Sequence, residues 1–332
     1  MKLTIDQTRR LARAAMQSCG HTDTEAEIIA DHLVDCELRG LSFGGLARAI
    51  SVIERRTNSP APARPITIVK ETPVSATLDG GDQVGYLVAK QATDLALAKA
   101  ARIGMSVVAA HRTWYTGMFS YYLEMITNAG FAGIVAGSGN HLVAPHGGTE
   151  GRFGTNPIAF GFPSDDQPII WDIGTSAVML GEVMLRHRLG DPLDDGHAYT
   201  PDGRPTRDPA EALAGAFTVW GGHKGSGLAL VVQLLGMMAG AAAAPDGLTD
   251  CGFFLLVVDP ALLTDGADYQ RRVSEYAQTI RSTRPVDPTT PVRVPFDRSA
   301  AERTKRLADN SIDIDDRVYA MLTDLSGTSI RA

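Results

Sequence analysis

One run of eighteen residues restricts the fold before anything else. From Gly227 to Ala244 the chain carries no charge and a single strongly polar side chain, Gln233. As a helix this run would be about 27 Å long, which is marginal for spanning a bilayer. It is rich in Gly and Ala and lies deep in an otherwise ordinary globular chain. The reading is a buried helix whose small residues let neighbouring elements approach closely, with a membrane span as the alternative. The 332 residues are enough for two modest domains sharing an interface. Hydrophobic residues make up 44% and charged residues 21%, which excludes a disordered or fibrous chain.

A formal net charge of −7 argues against nucleic acid or an anionic membrane surface as the main partner, because both reward a basic face. An anionic small molecule needs only one or two local cations. Cys19, Cys36 and Cys251 are scattered and odd in number, so they read as free thiols in a reducing compartment. No apolar segment of a secretory signal follows Met1, and a cytoplasmic location is expected. His141 and His146 share a glycine-rich loop without acidic or thiolate neighbours, so no metal site is expected.

Local signals alternate in type. Thr4-Ile5-Asp6-Gln7 and Thr22-Asp23-Thr24-Glu25 are capping boxes, in which a hydroxyl and a side chain three residues on satisfy the first free N–H groups of a helix. After the second, Ala26, Ile29, Ala30, Leu33 and Cys36 share one helical face. A further helix is expected after Gly45. Residues 58–65, rich in proline, read as a linker. Then Ala76-Thr77-Leu78 is extended and Asp82–Ile103 is helical. Met105–Ala109 and Gly133–Ala136 are strands around a helix at Met118–Ala129. Two more helices are expected near Ala300–Leu307 and Asp315–Leu325. Strands alternating with helices make an α/β fold.

Gly137-Ser138-Gly139 follows a strand, but Leu142 stands where a dinucleotide fingerprint needs its third glycine, and Pro145 and Gly147-Gly148 prevent an immediate helix. A Rossmann fold is therefore not indicated. The chemistry concentrates in four later loops: Gly154-Thr155-Asn156-Pro157-Ile158-Ala159, Asp172-Ile173-Gly174-Thr175-Ser176-Ala177, Asp202-Gly203-Arg204-Pro205-Thr206-Arg207-Asp208-Pro209, and Gly221-Gly222-His223-Lys224-Gly225-Ser226-Gly227. Loops of this kind expose backbone N–H groups and hydroxyls. The last opens a long helix next to Lys224, a setting that attracts phosphate.

Taken together and in this order, the four loops resemble the type 2 malate/L-lactate dehydrogenase family, whose pattern runs GTNPxA, DxATS, DGxPTxDP and GGxKGxGL. The family includes reductases of cyclic imines such as piperideine-2-carboxylate. The resemblance covers roughly residues 1–300. It implies NADH or NADPH held in a non-Rossmann α/β fold: a helical N-terminal part plus a mixed-sheet cofactor domain, with active sites at a homodimer interface. By motif, Asp172, Thr175, Ser176 and Lys224 match cofactor contacts, with Thr155, Ile173, Gly174 and His223 in the same loops. Ser138 lies in the matching strand-end loop, and Asp297 stands in Pro295-Phe296-Asp297, a weakened form of the family's PGE contact. Arg112 and Arg186 could meet a 2′-phosphate, but neither is diagnostic of NADPH.

Two departures alter the expected chemistry. The family's RGxxSHGxxR reads Arg39-Gly40-Leu41-Ser42-Phe43-Gly44-Gly45-Leu46-Ala47-Arg48. Both arginines align without a gap, so Gly44 stands at the histidine; a shift of one residue would put Phe43 there. The second signature, NxNHFG before a Tyr-Tyr pair, reads Arg112-Thr113-Trp114-Tyr115-Thr116-Gly117 before Tyr121-Tyr122, with Tyr115 at the histidine. Those histidines are the family's candidate proton donors. Reducing a ketone creates an alkoxide that needs a proton, whereas a protonated imine becomes a neutral amine without one.

The preferred expectation is an NAD(P)H-dependent reductase of a C=N bond beside a carboxylate, of a kind that suits a specialised biosynthetic pathway. One alternative is a 2-oxo acid/2-hydroxy acid dehydrogenase with Tyr115 or His111 as the acid. The other is a family member that binds the cofactor without redox turnover. Arg48 matches the arginine that holds the substrate carboxylate, which a planar guanidinium can do with two bonds. Phe43, Trp114 and Tyr115 would wall a pocket widened by Gly44. The domain expectation is a substrate and dimer domain from residues 1–70 with 300–332, and a cofactor domain over 71–299.

Overall fold

A computed structural model describes residues 1–59 and 62–327 of the protein. Pro60 and Ala61 of the expected linker and residues 328–332 of the expected C-terminal segment lie outside the described residues. The helices are α1 (Ile5–Ser18), α2 (Asp23–Leu38), α3 (Leu46–Thr57), α4 (Gly85–Ile103), α5 (Phe119–Asn128), α6 (Leu180–Leu189), α7 (Pro209–Ala214), α8 (His223–Met238), α9 (Gly266–Arg281), α10 (Asp297–Asp309) and α11 (Asp316–Ser326). The chain divides into two compact units. One gathers Met1–Arg64, Val178–Thr218 and Ser299–Ala332; the other gathers Pro65–Ala177 and Val219–Arg298. The segment Val178–Thr218, which the sequence reading assigns to the cofactor domain, thus belongs with the N-terminal helices.

In the first unit both capping boxes form. Thr4 Oγ1 accepts from the Gln7 N–H at 3.1 Å while Gln7 Oε1 accepts from the Thr4 N–H at 2.8 Å, and Thr22 and Glu25 repeat the exchange. The apolar stripes of α1, α2 and α3 (Leu11, Met16, Ile29, Leu33, Leu46, Ile50) are fully enclosed. Lys2–Leu3 pairs antiparallel with Ile312–Asp313, joining the two ends of the unit. The buried Asp35 carboxylate takes Arg39 Nε on one oxygen and Arg303 Nε on the other, each at 2.6 Å, so α2 is tied to α10.

The second unit is built on a sheet. Its strands are β1 (Thr67–Glu71), β2 (Ser75–Val84), β3 (Met105–Trp114), β4 (Ala132–Gly137), β5 (Ile158–Phe162), β6 (Ile169–Ile173) and β7 (Cys251–Val258). The seven strands lie in the order β1-β2-β3-β7-β4-β5-β6. Only β2 and β3 run parallel, joined through α4; the other pairs are antiparallel. This mixed order is not the doubly wound Rossmann arrangement. Side chains alternate between the two faces. Leu78, Val108, Val135, Phe253 and Leu255 pack against α4 and α5. Ala136, Ile158 and Phe254 pack against α8 through Val232 and Leu235.

The uncharged run folds differently from its sequence expectation. Helix α8 starts at His223, ends at Met238, and is buried along one face only. Gly225, Ala229, Val232, Gln233 and Gly236 point inward, whereas Leu230, Val231, Leu234, Met237 and Met238 are 44 to 65% exposed. Hydropathy does not separate an apolar face packed on its own chain from one that awaits a partner. Among the described residues no helix is long and apolar enough to cross a membrane.

His21 and His32 are buried in the first unit, and burial pulls their pKa values from 6.5 to about 4 and about 3, Arg56 adding to the effect at His21. Both are held neutral in the fold, while the unfolded chain binds their protons near pH 6.5. Their contribution is complete above that pH and is lost as pH falls through the window down to about 4 and 3. Denaturant midpoints should therefore drop steeply between pH 6.5 and pH 4, and His32→Leu should reduce the slope by up to about 1.4 kcal/mol per pH unit. An unchanged slope in that variant would show that His32 titrates normally in the fold.

Candidate active site

The cofactor loops expected from sequence meet in the sheet unit. Asp172 is the penultimate residue of β6, where its backbone pairs with Ala159 and that of Ile173 with Ile158. Its carboxylate turns to the start of α5 and accepts the Ser120 N–H at 2.8 Å. Desolvation pushes the Asp172 pKa up, and the Ser120 and Phe119 N–H groups oppose that rise. Asp172 is thus a cap for α5. Past it, the Thr175 N–H and hydroxyl both donate to the Thr155 carbonyl, at 3.0 and 3.1 Å, and the Thr175 carbonyl receives the Trp220 N–H at 2.8 Å. Ser176 bridges to Val219. Thr155, Gly174, Thr175, Ser176 and the approach to α8 are therefore one hydrogen-bonded neighbourhood, with Thr175 fully buried.

The approach itself suits an anion. Gly221 and Gly222 have φ of +64° and +61°, and no side chain caps the start of the sixteen-residue α8. The N-cap, Gly222, offers its first-turn N–H groups no side-chain acceptor, and they lie beside the exposed Lys224. His223 is also exposed and meets His146 edge-on at 6.3 Å between ring centres. Backbone donors, a helix dipole and a lysine form a donor set that fits the phosphates of a dinucleotide.

Ser138 has a different setting. Its Oγ accepts the Gly252 N–H at 3.2 Å, and a Cβ on Gly236 would stand 1.8 Å from that oxygen. The hydroxyl is committed to seating α8 on the sheet. Asp297 is likewise engaged: Arg281 grips both its oxygens at 2.7 and 3.0 Å, and the Val294 N–H and Gln167 add to them. Hydrogen bonds from Arg281 and Val294 lower its pKa against the effect of burial.

Tyr115 directly follows β3, has φ of +52°, and packs edge-on against Trp114 at 5.5 Å. Trp114 is fully buried and donates its indole N–H to the Asp82 carbonyl at 3.0 Å. It is a core residue rather than the pocket wall that the sequence allows. His111 sits four residues earlier on β3; its buried Nδ1 has no hydrogen-bond partner among the described residues and lies against Gly240.

In the helical unit, Ser42–Gly44 form one 3-10 turn and Arg48 lies in the first turn of α3. The half-buried Arg48 approaches Met184 Sδ at 3.8 Å, and a Cβ on Gly181 would meet its guanidinium at 2.3 Å and the Phe43 ring at 3.0 Å. Arg48 and Phe43 thus share a cluster at the start of α6. At Gly44 a Cβ would stand 3.3 Å from Cys36 Sγ, so the thiol occupies the space next to this position.

Sequence reasoning misses Asn156. It is buried, has φ of +36°, and donates Nδ2 to the Ala229 carbonyl at 2.8 Å and to Gln233 Oε1 at 2.9 Å. Its Oδ1 accepts the Gly139 N–H at 3.3 Å. The signal that could have found it is Gln233, because a lone amide inside an apolar run demands a polar partner.

The profile of the malate/L-lactate dehydrogenase family matches residues 3–323. An L-sulfolactate dehydrogenase from Methanocaldococcus jannaschii is 30% identical, over 98% of this chain and 96% of its own. A Delta(1)-pyrroline-2-carboxylate reductase from Ancylobacter novellus is 32% identical, over 71% of this chain and 70% of its own. The crystal structure of a dehydrogenase from Sinorhizobium meliloti superposes with a TM-score of 0.90 at 30% identity, covering 98% of each chain. The motif order, the mixed sheet and these likenesses agree, and the chain belongs to the malate/L-lactate dehydrogenase family of oxidoreductases.

Proposed function

We propose that this oxidoreductase uses NADH or NADPH to reduce the C=N bond of a cyclic imine that carries a carboxylate. The observation that carries the reading is position 44: it has no side chain, and the Cys36 thiol fills the adjacent space. With Tyr115 at the second signature, neither motif offers an imidazole. A protonated imine accepts hydride and leaves as a neutral amine, so the step proceeds without an acid. The Delta(1)-pyrroline-2-carboxylate reductase among the relatives carries the name of such a reaction.

In this reading the Thr155 and Asp172–Ser176 loops and the start of α8 hold the cofactor, with Lys224 and the first-turn N–H groups on its phosphates. When bound, the nicotinamide supplies the hydride. Ser138 contributes by seating α8, and Asp172 by fixing α5 and the turn after β6. Asp297, already gripped by Arg281, offers its carboxylate as an acceptor held at fixed orientation. Arg48 binds the substrate carboxylate through paired N–H groups. A second reading, reduction of a 2-oxo acid with Tyr115 as the proton donor, is favoured by the named L-sulfolactate dehydrogenase relative. His111 is the weaker candidate for that donor, because Gly240 closes over its Nδ1. The exposed apolar face of α8 supports a homodimer, since Leu230, Val231, Leu234, Met237 and Met238 form a continuous patch on one helix.

Nicotinamide oxidation with piperideine-2-carboxylate and with pyruvate separates the two readings. Turnover of the imine alone is expected, and turnover of pyruvate alone would replace the first reading by the second. Tyr115→Phe should leave imine reduction nearly intact but slow a ketone by about 10²-fold. Arg48→Ala should raise KM by about 10²-fold with an unchanged melting temperature, the loss corresponding to one charge-assisted pair. Unaltered kinetics would remove Arg48 from the site. Leu234→Glu should yield monomers in analytical ultracentrifugation, where the native protein sediments as a dimer; a native monomer would dismiss the α8 interface.

A further inference from the structure

We propose that Glu37 is a positioning residue: its buried carboxylate caps the first turn of α3 and so fixes the helix that presents Arg48. The proposal rests on the reading of Arg48 as the substrate anchor. Helix α3 begins at Leu46, and Gly45 before it offers no side-chain acceptor. The acceptor comes instead from the end of α2. The Leu46 N–H donates to Glu37 Oε1 at 2.7 Å, across nine residues of sequence. Gly45 is what admits it, because a Cβ there would stand 2.2 Å from the same oxygen. Glu37 is 2% exposed, so water does not compete for the bond. Arg48 is only two residues beyond the capped amide. Its guanidinium can be no better placed than the turn that carries it.

The charge facing Glu37 is Arg306 on α10, which donates to the Glu37 backbone carbonyl and, through Nε, to Glu302 Oε1 at 2.7 Å. On α2 itself, Asp35 is engaged by Arg39 and Arg303. Helix α1 turns Arg9 and Arg13 toward Glu27 and Asp31 instead. The turn Ser42–Gly44 carries no titratable side chain, and α3 offers the Leu46 amide and, further on, Arg48. Burial raises the Glu37 pKa from 4.5 to about 7, against the Leu46 N–H and Arg306, which lower it. Above neutrality the ionised carboxylate is a strong acceptor at the positive end of α3. Below it the group is a neutral acid and a weaker cap. Stability runs the other way. The fold holds this proton more tightly than the unfolded chain, so Glu37 contributes stability below pH 4.5 that is lost as pH rises through about 7. A role in folding alone and a role in placing Arg48 therefore predict opposite trends with pH.

The test compares the full-length native protein with Glu37→Gln, Gly45→Ala and Arg48→Ala. Amide hydrogen exchange reads the first turn of α3, and calorimetry reads binding of pyrrole-2-carboxylate, a planar unreactive cyclic carboxylate, in the presence of NADPH or NADH. In Glu37→Gln the amide oxygen can still accept from Leu46, but without charge. In Gly45→Ala the added methyl displaces the carboxylate, which reaches the same end if the first variant does not fold. The native protein should bind the probe about 5- to 10-fold more weakly at pH 6 than at pH 8. Both cap variants should bind weakly at both pH values, and their first-turn amides should exchange about 10-fold faster at pH 8. Native-like exchange and binding in both cap variants, with binding lost in Arg48→Ala, would overturn the role of Glu37 and leave Arg48 in the site. Native-like binding in Arg48→Ala would overturn the proposal from the other side, by removing the anchor on which it rests.

Discussion

The carboxamide of Asn156 is the interaction on which the sheet unit depends. Its two donors and its acceptor are all used inside the protein, by the Ala229 carbonyl, the Gln233 side chain and the Gly139 N–H. Three segments far apart in sequence are fixed by one side chain: the loop after β4, the turn before β5 and the middle of α8. A buried amide of this kind cannot be half satisfied without a cost of about 1–3 kcal/mol per orphaned group. It therefore sets the orientation of all three segments together. The strand-end loop is held again by Ser138 against Gly252, and the next turn by Thr155 and Thr175. The turn that leads into α8 is thus backed by hydrogen bonds to the middle of the helix and to the loops behind it.

Both units also place carboxylates in a way that is easily mistaken for reactive chemistry. Glu37 is buried and Asp172 half-buried; desolvation raises the pKa of each, and each is bonded to the first N–H groups of a helix that starts elsewhere in the chain. Perturbed carboxyls often mark acids and bases. Here the same perturbation accompanies a cap, and what the carboxyl controls is the direction of the helix it terminates. Asp172 aligns α5 with the turn that carries Thr175 and Ser176. Glu37 aligns α3. The second unit thus owes its precision to backbone ladders, while the first owes it to a few charged side chains buried among helices, including Asp35 between Arg39 and Arg303.

Much of the local structure was legible. Thr4 and Thr22 announced their helices because a capping box is a short-range device whose two partners are three residues apart. The absence of a Rossmann fingerprint after Gly137 was legible for the same reason, and the four loops carried the family. What depends on distant partners was not. Strand β7 takes the centre of the sheet between β3 and β4, although more than a hundred residues separate it from either, and no local pattern specifies that insertion. The sequence expectation starts a helix at Asp82, yet β2 runs on to Val84 and α4 starts only at Gly85, because pairing with β3 resumes at Gln83 after a register shift. The inward face of α8 carries the small residues and Gln233, and the outward face the larger aliphatic ones, so hydropathy alone would bury the wrong face. Among the candidate site residues, motif order brought Thr155, Thr175 and Ser176 together, but it could not show that the hydroxyl of Ser138 and both oxygens of Asp297 already have partners.

The pairing of Lys2–Leu3 with Ile312–Asp313 has a consequence for how the protein is made. The helical unit is assembled from three separate stretches of chain, and its first strand has no partner until synthesis has passed residue 313. During translation the sheet unit, whose strands end at Val258, can close while the N-terminal helices still wait for α10 and α11. The unit that contains Arg48 thus gains its last partners only after every strand of the sheet unit has been made, and until then its apolar stripes lack the cover that α11 provides.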